Sequence, residues 1–353
     1  MTTVHTPFQP PRVSQRRFGT MPDGTAVDTF TIDNGYIELS GISYGGIISS
    51  LRVPDRHGRR ASIVLGFDTL EPYLDNRAYI GAVAGRYANR IGGATFELDG
   101  VCHQLRANDG PNHLHGGPKG FSRQVWTMTV EAEGGVASLV QTRRSPAGEE
   151  GYPGTLDATV AYRVMGDTVV LEYDAVADAP TIVNLTQHSY FNLAPETSPT
   201  VLDHELVIAA GAYLPVDANL IPTGQFASVA ETPFDFRQRT PIRSRIAVPH
   251  PDLDAAGGFD HTFVLADAPR PLTLAAALSE PVSGRVLELR TTEPGLQFYG
   301  GHLLEQPHAG LCLESQHFPD SPQRPSFPSV VLRPGERYRS MTTWRFAVRA
   351  VAG

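Results

Sequence analysis

Four segments of the chain gather the side chains able to move protons or grip a polar ligand. Residues 181–193 read TIVNLTQHSYFNL. Their β-branched and aromatic content predicts a strand. Alternation then puts Asn184, Thr186, His188 and Tyr190 on one face, and Val183, Leu185 and Gln187 on the other. A polar face that carries an imidazole and a phenol suits the floor of a cleft for a polyhydroxylated ligand. His188 taken alone is as readily a satisfied core histidine, since an imidazole titrates near neutral pH wherever it sits. In GLCLESQHFP, residues 310–319, Leu311 and Leu313 share one strand face. Cys312, Glu314 and Gln316 share the other. A carboxylate in mid-strand between apolar residues needs a partner or a task, because burying a charge is costly. The competing reading is a structural ion pair.

The remaining two segments are GRYANRI, residues 85–91, and NDGPNHLHGGPKGF, residues 108–121. Arginine and asparagine are good partners for hydroxyls and carboxylates. A surface turn with exposed Arg86 and Arg90 is the plainer alternative. His113 and His115 share one face if the chain is extended, and Gly116–Gly117 permit a tight turn behind them. HLH is half a metal site, but a metal needs three or four ligands and no Cys or acidic partner stands beside the two histidines. We therefore expect no metal, and one imidazole aimed at a ligand. Two shorter pieces, GFDHTF (258–263) and PGLQFYGG (294–301), add Asp260 and Gln297. The chain has no GxSxG elbow and no HExxH. This inventory suits acid–base proton transfer on a sugar, with no cofactor and no covalent intermediate.

Short strands must position these groups. The 353 residues include 34 glycines and 29 prolines. That spacing interrupts helices and predicts many short strands with turns between them. Alternating runs stand at 29–32, 36–39, 126–130, 137–141, 168–173, 205–208, 286–290 and 344–348. Helical candidates are brief, at 69–75 and 252–256. The expected fold is all-β: one large antiparallel β-sandwich over residues 21–353, after a flexible N-terminal arm at 1–20.

Composition narrows the function classes. The net charge of −8 argues against nucleic acid as a partner. The densest basic stretch, RVPDRHGRR at 52–60, is broken by Pro54, Asp55 and Gly58 and reads as a solvated hairpin. No P-loop and no GxGxxG opening a helix appears, which disfavours phosphoryl and dinucleotide chemistry. No apolar run approaches the roughly 20 residues of a membrane span. The first residues lack the apolar core of a signal peptide, so a cytoplasmic protein is expected. Cys102 and Cys312 are too few for a disulfide framework and read as core thiols.

At these motifs the chain resembles the aldose 1-epimerases, or galactose mutarotases. The resemblance runs from about Asp33 to Val348. Besides the segments above it takes in GEEGYPGTL (148–156), YLPVDANLIPTG (213–224) and TPFDFR (232–237). It implies a mutarotase-like β-sandwich, monomeric or dimeric, that interconverts the α and β anomers of free aldohexoses such as galactose and glucose. It also implies roles: Glu314 as general base at the C1 hydroxyl, His188 as general acid at the ring oxygen, and His115 as a second histidine near that oxygen. Asn89, Arg90, Asp260 and Gln297 match positions that hold sugar hydroxyls. The chain departs from the family pattern at 315–317 (SQH), 321–324 (SPQR) and 210–212, and the first two bear on the cleft rim. Two other readings are a hexose-phosphate 1-epimerase, which needs several basic residues converging on the cleft, and a non-catalytic sugar-binding protein, which would lack the acid or the base.

Overall fold

The fold was obtained as a computed structural model that describes residues 8–194, 198–266 and 271–349. Two antiparallel sheets face each other. In the larger, nine strands run in the order Thr127–Glu133, Val136–Ser145, Leu156–Met165, Thr168–Ala177, Tyr338–Val348, Arg285–Thr291, Thr273–Ser279, Glu205–Ile208 and Thr240–Pro241. The smaller has six, in the order Tyr190–Phe191, Leu311–Gln316, Gly295–Tyr299, Asp260–Val264, Ala212–Tyr213 and Ala227–Ser228. An N-terminal five-stranded meander, Arg12–Thr20 through Arg60–Ser62, packs beside them. The helices are short: Glu71–Leu74, Ile242–Ile246 and Pro251–Ala256. Among the described residues no helix is long and apolar enough to cross a membrane.

Period-two patterning builds the core. Thr168–Ala177 alternates, with Val169, Leu171, Tyr173 and Ala175 buried. These meet Trp344, Leu287 and Leu289 of the same sheet, and Leu296, Phe298, Leu311 and Leu313 of the other, in one continuous cluster. Burial of such a face is the dominant stabilising term for a sandwich. The Leu311–Gln316 strand is different, since all six residues are buried. Leu311 and Leu313 belong to that inter-sheet core, while Glu314, two residues beyond Cys312 on the opposite strand face, lines a cleft.

Three expectations need correction. Residues 12–20 are not a free arm: Arg12–Thr20 pairs along its length with Ala26–Asp33, because backbone hydrogen bonding holds even a polar edge strand. Residues 1–7 lie outside the described residues. The 181–193 segment is not one half-buried strand. It breaks into Thr181–Ile182, Thr186–His188 and Tyr190–Phe191, which pair with Val331–Leu332, Ala82–Ala84 and Leu311–Cys312 respectively. Every residue in it is buried, so neither face meets bulk water. Cys102 is not a core thiol. It is exposed on the Val101–Gln104 hairpin strand, which turns most of its side chains outward.

Candidate active site

Two neighbouring segments carry the acid–base candidates. Tyr190 pairs with Cys312, which places the TQHSYF stretch alongside the LCLESQ strand. His188 and Glu314 project into the same cleft, with His188 Nε2 3.7 Å from Glu314 Oε1. Both are nearly solvent-free, at 5% and 2% exposure. Their environments drive them apart. Burial, reinforced by the Asp260 charge and opposed by Arg90, pushes the Glu314 carboxyl well above the usual range. Burial pulls the His188 imidazole down to about 4, although its own backbone and Asp260 act the other way. Such opposed shifts in one pair are the pattern of an acid–base couple.

His115 is delivered by the HLHGG turn. A Cβ on Gly116 would lie 1.7 Å from the Gly85 carbonyl oxygen, and Gly116 has φ +88°, so only glycine allows this approach. The turn locks against GRYANRI. The His115 N–H donates to the Asn89 carbonyl at 3.1 Å, and the Asn89 N–H donates to His115 Nδ1 at 3.2 Å. A ring whose Nδ1 accepts is neutral and carries its proton on Nε2. Burial, then the neighbouring His188 and Arg90, holds His115 well below the usual histidine range. The rings of His115 and His188 stand 5.1 Å apart, and Tyr79 lies against His115 at 4.7 Å.

Arg90 is clamped. Its Nε donates to Asp109 at 2.7 Å, and a terminal nitrogen lies 3.5 Å from Asp260. Burial disfavours its charge, but Asp260 and Asp109 more than restore it. Asp260 also accepts from the Gln297 amide at 2.6 Å, and Gln297 in turn accepts from the Thr262 hydroxyl. The cleft, of about 320 Å³, is lined by Asn89, Arg90, His115, His188, Asp260 and Glu314. Six of the seven site residues expected from sequence thus meet on one surface. Gln297 does not line it and stands behind Asp260. A concavity of about 620 Å³ on the large sheet carries the Arg163–Glu172 and Arg337–Asp174 ion pairs but no comparable acid–base couple.

Arg86, read as a candidate surface residue, is the most deeply anchored group nearby. Its guanidinium donates to the carbonyls of Ser145, Pro146, Pro153 and Gly154 at 2.9–3.2 Å, and to the Ser145 hydroxyl at 2.6 Å. It ties GRYANRI to GEEGYPG. Asn184 supports the strand: it donates to the Ala88 carbonyl at 3.1 Å and accepts from the His317 N–H at 3.0 Å. Thr186 likewise donates to the Ser315 carbonyl at 2.9 Å. The unusual His317 is matched by a buried Glu293, whose carboxylate lies 2.6 Å from His317 Nδ1. The unusual rim at 321–324 is knitted by Asp320, which accepts from the Gly92 N–H and from Arg324, both at 2.9 Å.

Sequence reasoning missed Tyr79, Asp109 and Tyr299. Tyr79 sits in NRAYIG, which carries no recognisable signal. Asp109 and Tyr299 lay inside flagged motifs but had no partner to name. The liganding atoms of His115, His188 and Glu314 lie within 4.8 Å of one another, near enough to suggest a metal. The surroundings do not fit one. A ligating histidine donates its other N–H to an acceptor, whereas His115 Nδ1 faces the Asn89 N–H donor. Binding through Nε2 would set two donors against each other.

The family model for aldose 1-epimerase matches residues 28–345. A galactose mutarotase from Bos taurus is 44% identical over 348 residues, covering 95% of this chain and 99% of the relative. An aldose 1-epimerase from Escherichia coli K12 is 38% identical over 92% of this chain and 96% of its own length. The crystal structure of a galactose 1-epimerase from Lactobacillus acidophilus NCFM superposes with a TM-score of 0.86 at 26% identity, covering 96% and 99% of the two chains.

Proposed function

The chain belongs to the aldose 1-epimerase family of isomerases, and from that premise we propose that Glu314 and His188 carry its anomer interconversion on free aldohexoses such as galactose and glucose. One observation carries this reading: a carboxylate and an imidazole 3.7 Å apart in a cleft lined by hydroxyl-binding groups. O1 and O5 of a pyranose are bonded to the same carbon. A base and an acid this close can therefore act on both at once.

The Glu314 carboxylate takes the O1 proton, the C1–O1 double bond forms, and the C1–O5 bond breaks. The departing O5 takes the proton from His188 Nε2. Rotation about C1–C2 turns the other carbonyl face to O5. In closure O5 returns its proton to His188 as it attacks C1, and O1 takes the proton held by Glu314. One proton stays with the pair throughout. It starts as imidazolium and carboxylate, and beside the open chain it is imidazole and carboxylic acid. The raised Glu314 and lowered His188 favour that second form, which lowers the cost of the ring-opened state. Hydrogen bonds from the bound sugar to both groups favour the first form on binding. His115, fixed with Nε2–H outward, is a second donor for the ring oxygen.

Arg90, Asn89 and Asp260 hold the remaining hydroxyls, and Gln297 fixes Asp260. The charge of the cleft supports an uncharged sugar: Arg90 already answers Asp109 and Asp260, and Arg77 is the other lining cation. Polarimetry of freshly dissolved α-galactose tests the base. Glu314→Gln is expected to lower kcat by about 10²- to 10⁴-fold with KM little changed. Full activity in that variant removes Glu314 from the role.

A further inference from the structure

Cys312 is fully buried and groups with Tyr190, Tyr299 and Leu304. Its place is more specific. The strand that carries Glu314 turns Cys312 to the same face two residues earlier, and its Sγ lies 3.4 Å from His188 Nδ1. One strand thus faces both nitrogens of the acid: the thiol within hydrogen-bond reach of Nδ1, the carboxylate 3.7 Å from Nε2. The groups facing the His188 ring are Glu314, His115, Tyr79, Tyr190, Cys312 and the more distant Asp260. Among side chains of the described residues, Cys312 is the hydrogen-bond partner of Nδ1.

We propose that Cys312 is the positioning residue of the acid, holding the His188 ring with Nε2–H toward the substrate and, as a poor acceptor, leaving its proton free to transfer. This rests on the reading of His188 as the acid. In the resting neutral ring the thiol donates S–H to Nδ1, which leaves the ring proton on Nε2. Once the ring is an imidazolium the thiol turns to accept, and after Nε2 has given its proton to O5 the neutral ring keeps Nδ1–H toward sulfur. Burial, with the Glu314 and Asp260 charges, keeps the thiol in that S–H form. When His188 is protonated, Nδ1–H faces a weak sulfur acceptor. Imidazoles more often donate to a carbonyl or carboxylate, which raises basicity. Here the thiol orients the ring without adding to the stabilisation of its cation, which comes from the ring's own backbone and the Asp260 charge and is outweighed by burial.

The test is ring-nitrogen NMR of His188 together with pH–rate profiles. Wild type is expected in the Nε2–H tautomer. Cys312→Ala is expected to show both tautomers and to lose about 10- to 100-fold in kcat with KM within about twofold. Cys312→Ser is nearly isosteric and brings a stronger acceptor. It is expected to keep the tautomer and shift the acid limb of kcat toward higher pH. Unchanged tautomer, kcat and pH profile in both variants overturns the proposal, and the serine variant alone decides it if the alanine variant does not fold. Full activity in His188→Gln would instead sink the acid assignment, while the tautomer readout still reports on the thiol contact.

Discussion

Glu314 shows at the scale of one residue how function and stability conflict. Its carboxyl is buried, and its Oε2 has no hydrogen-bond partner among the described residues. An unpartnered buried acceptor costs about 1–3 kcal/mol. Its raised pKa gives the cost a pH signature. Above the ordinary value of 4.5 the unfolded chain gives up this proton while the folded chain retains it. Folding therefore loses stability as pH rises from there through the folded pKa. Glutamine does not titrate. Glu314→Gln is expected to melt higher than wild type, and the gap is expected to widen between pH 5 and pH 8. Calorimetry at the two pH values checks this. A gap of the same size at both would mean that the carboxyl is not held in its acid form.

At the scale of elements, the site is a set of turns pinned to two sheets, and Arg86 is the pin. Its fork reaches four carbonyls at once, although burial pulls its pKa down to about 10. Removing one side of a buried charged network typically costs about 3–5 kcal/mol. Arg86→Met should therefore lower the melting temperature sharply and impair kcat/KM, since the same turn presents Asn89 and Arg90. Arg86→Lys keeps the charge but not the planar fork, so it should recover only part of the loss. A melting temperature within a degree or two of wild type for the Met variant would show that the tie is dispensable. Arg86 also marks where sequence reading runs out. Its five partner residues lie 59–95 residues away, and nothing local separates a caged arginine from a solvated one. What was legible is what alternation and motif order encode: the all-β class, the strand faces of Glu314 and His188, and six of the cleft-lining residues. What was not legible depends on non-local pairing. The TIVNLTQHSYFNL segment pairs with three different strands in turn, and Tyr79 and the Cys312–His188 contact arise only when those strands meet.

At the scale of the whole molecule, histidine chemistry sets acid stability. Four buried rings accept a hydrogen bond through one nitrogen and so must be neutral when folded. His115 and His261 accept from the backbone N–H groups of Asn89 and Asp260, and His204 Nε2 accepts from the Leu193 N–H at 2.9 Å. His113 donates from Nδ1 to the Arg106 carbonyl at 2.7 Å, which leaves Nε2 to accept from the Tyr152 hydroxyl at 2.6 Å. Burial, first among the causes, draws His113, His204 and His261 down to about 4, and His115 well below its usual value. The unfolded chain protonates these positions as pH falls below about 6.5, while the folded chain does not. Stability therefore falls across the window from about 6.5 to about 4, at up to about 1.4 kcal/mol per pH unit for each ring. His317 runs the other way: its partner Glu293 overcomes burial and raises it, so its contribution is complete below 6.5 and lost at higher pH. His188, drawn down to about 4, and the lowered His302 add to the first four, so six rings against His317 and the raised Glu314 predict a net acid weakness below pH 6.5. Because burial causes it rather than surface charge, added salt should not remove it. Urea unfolding between pH 4.5 and 7.5, at low and at high salt, measures the slope. His204→Asn should flatten it by about one proton, and a slope unchanged in that variant would mean that His204 titrates alike in both states.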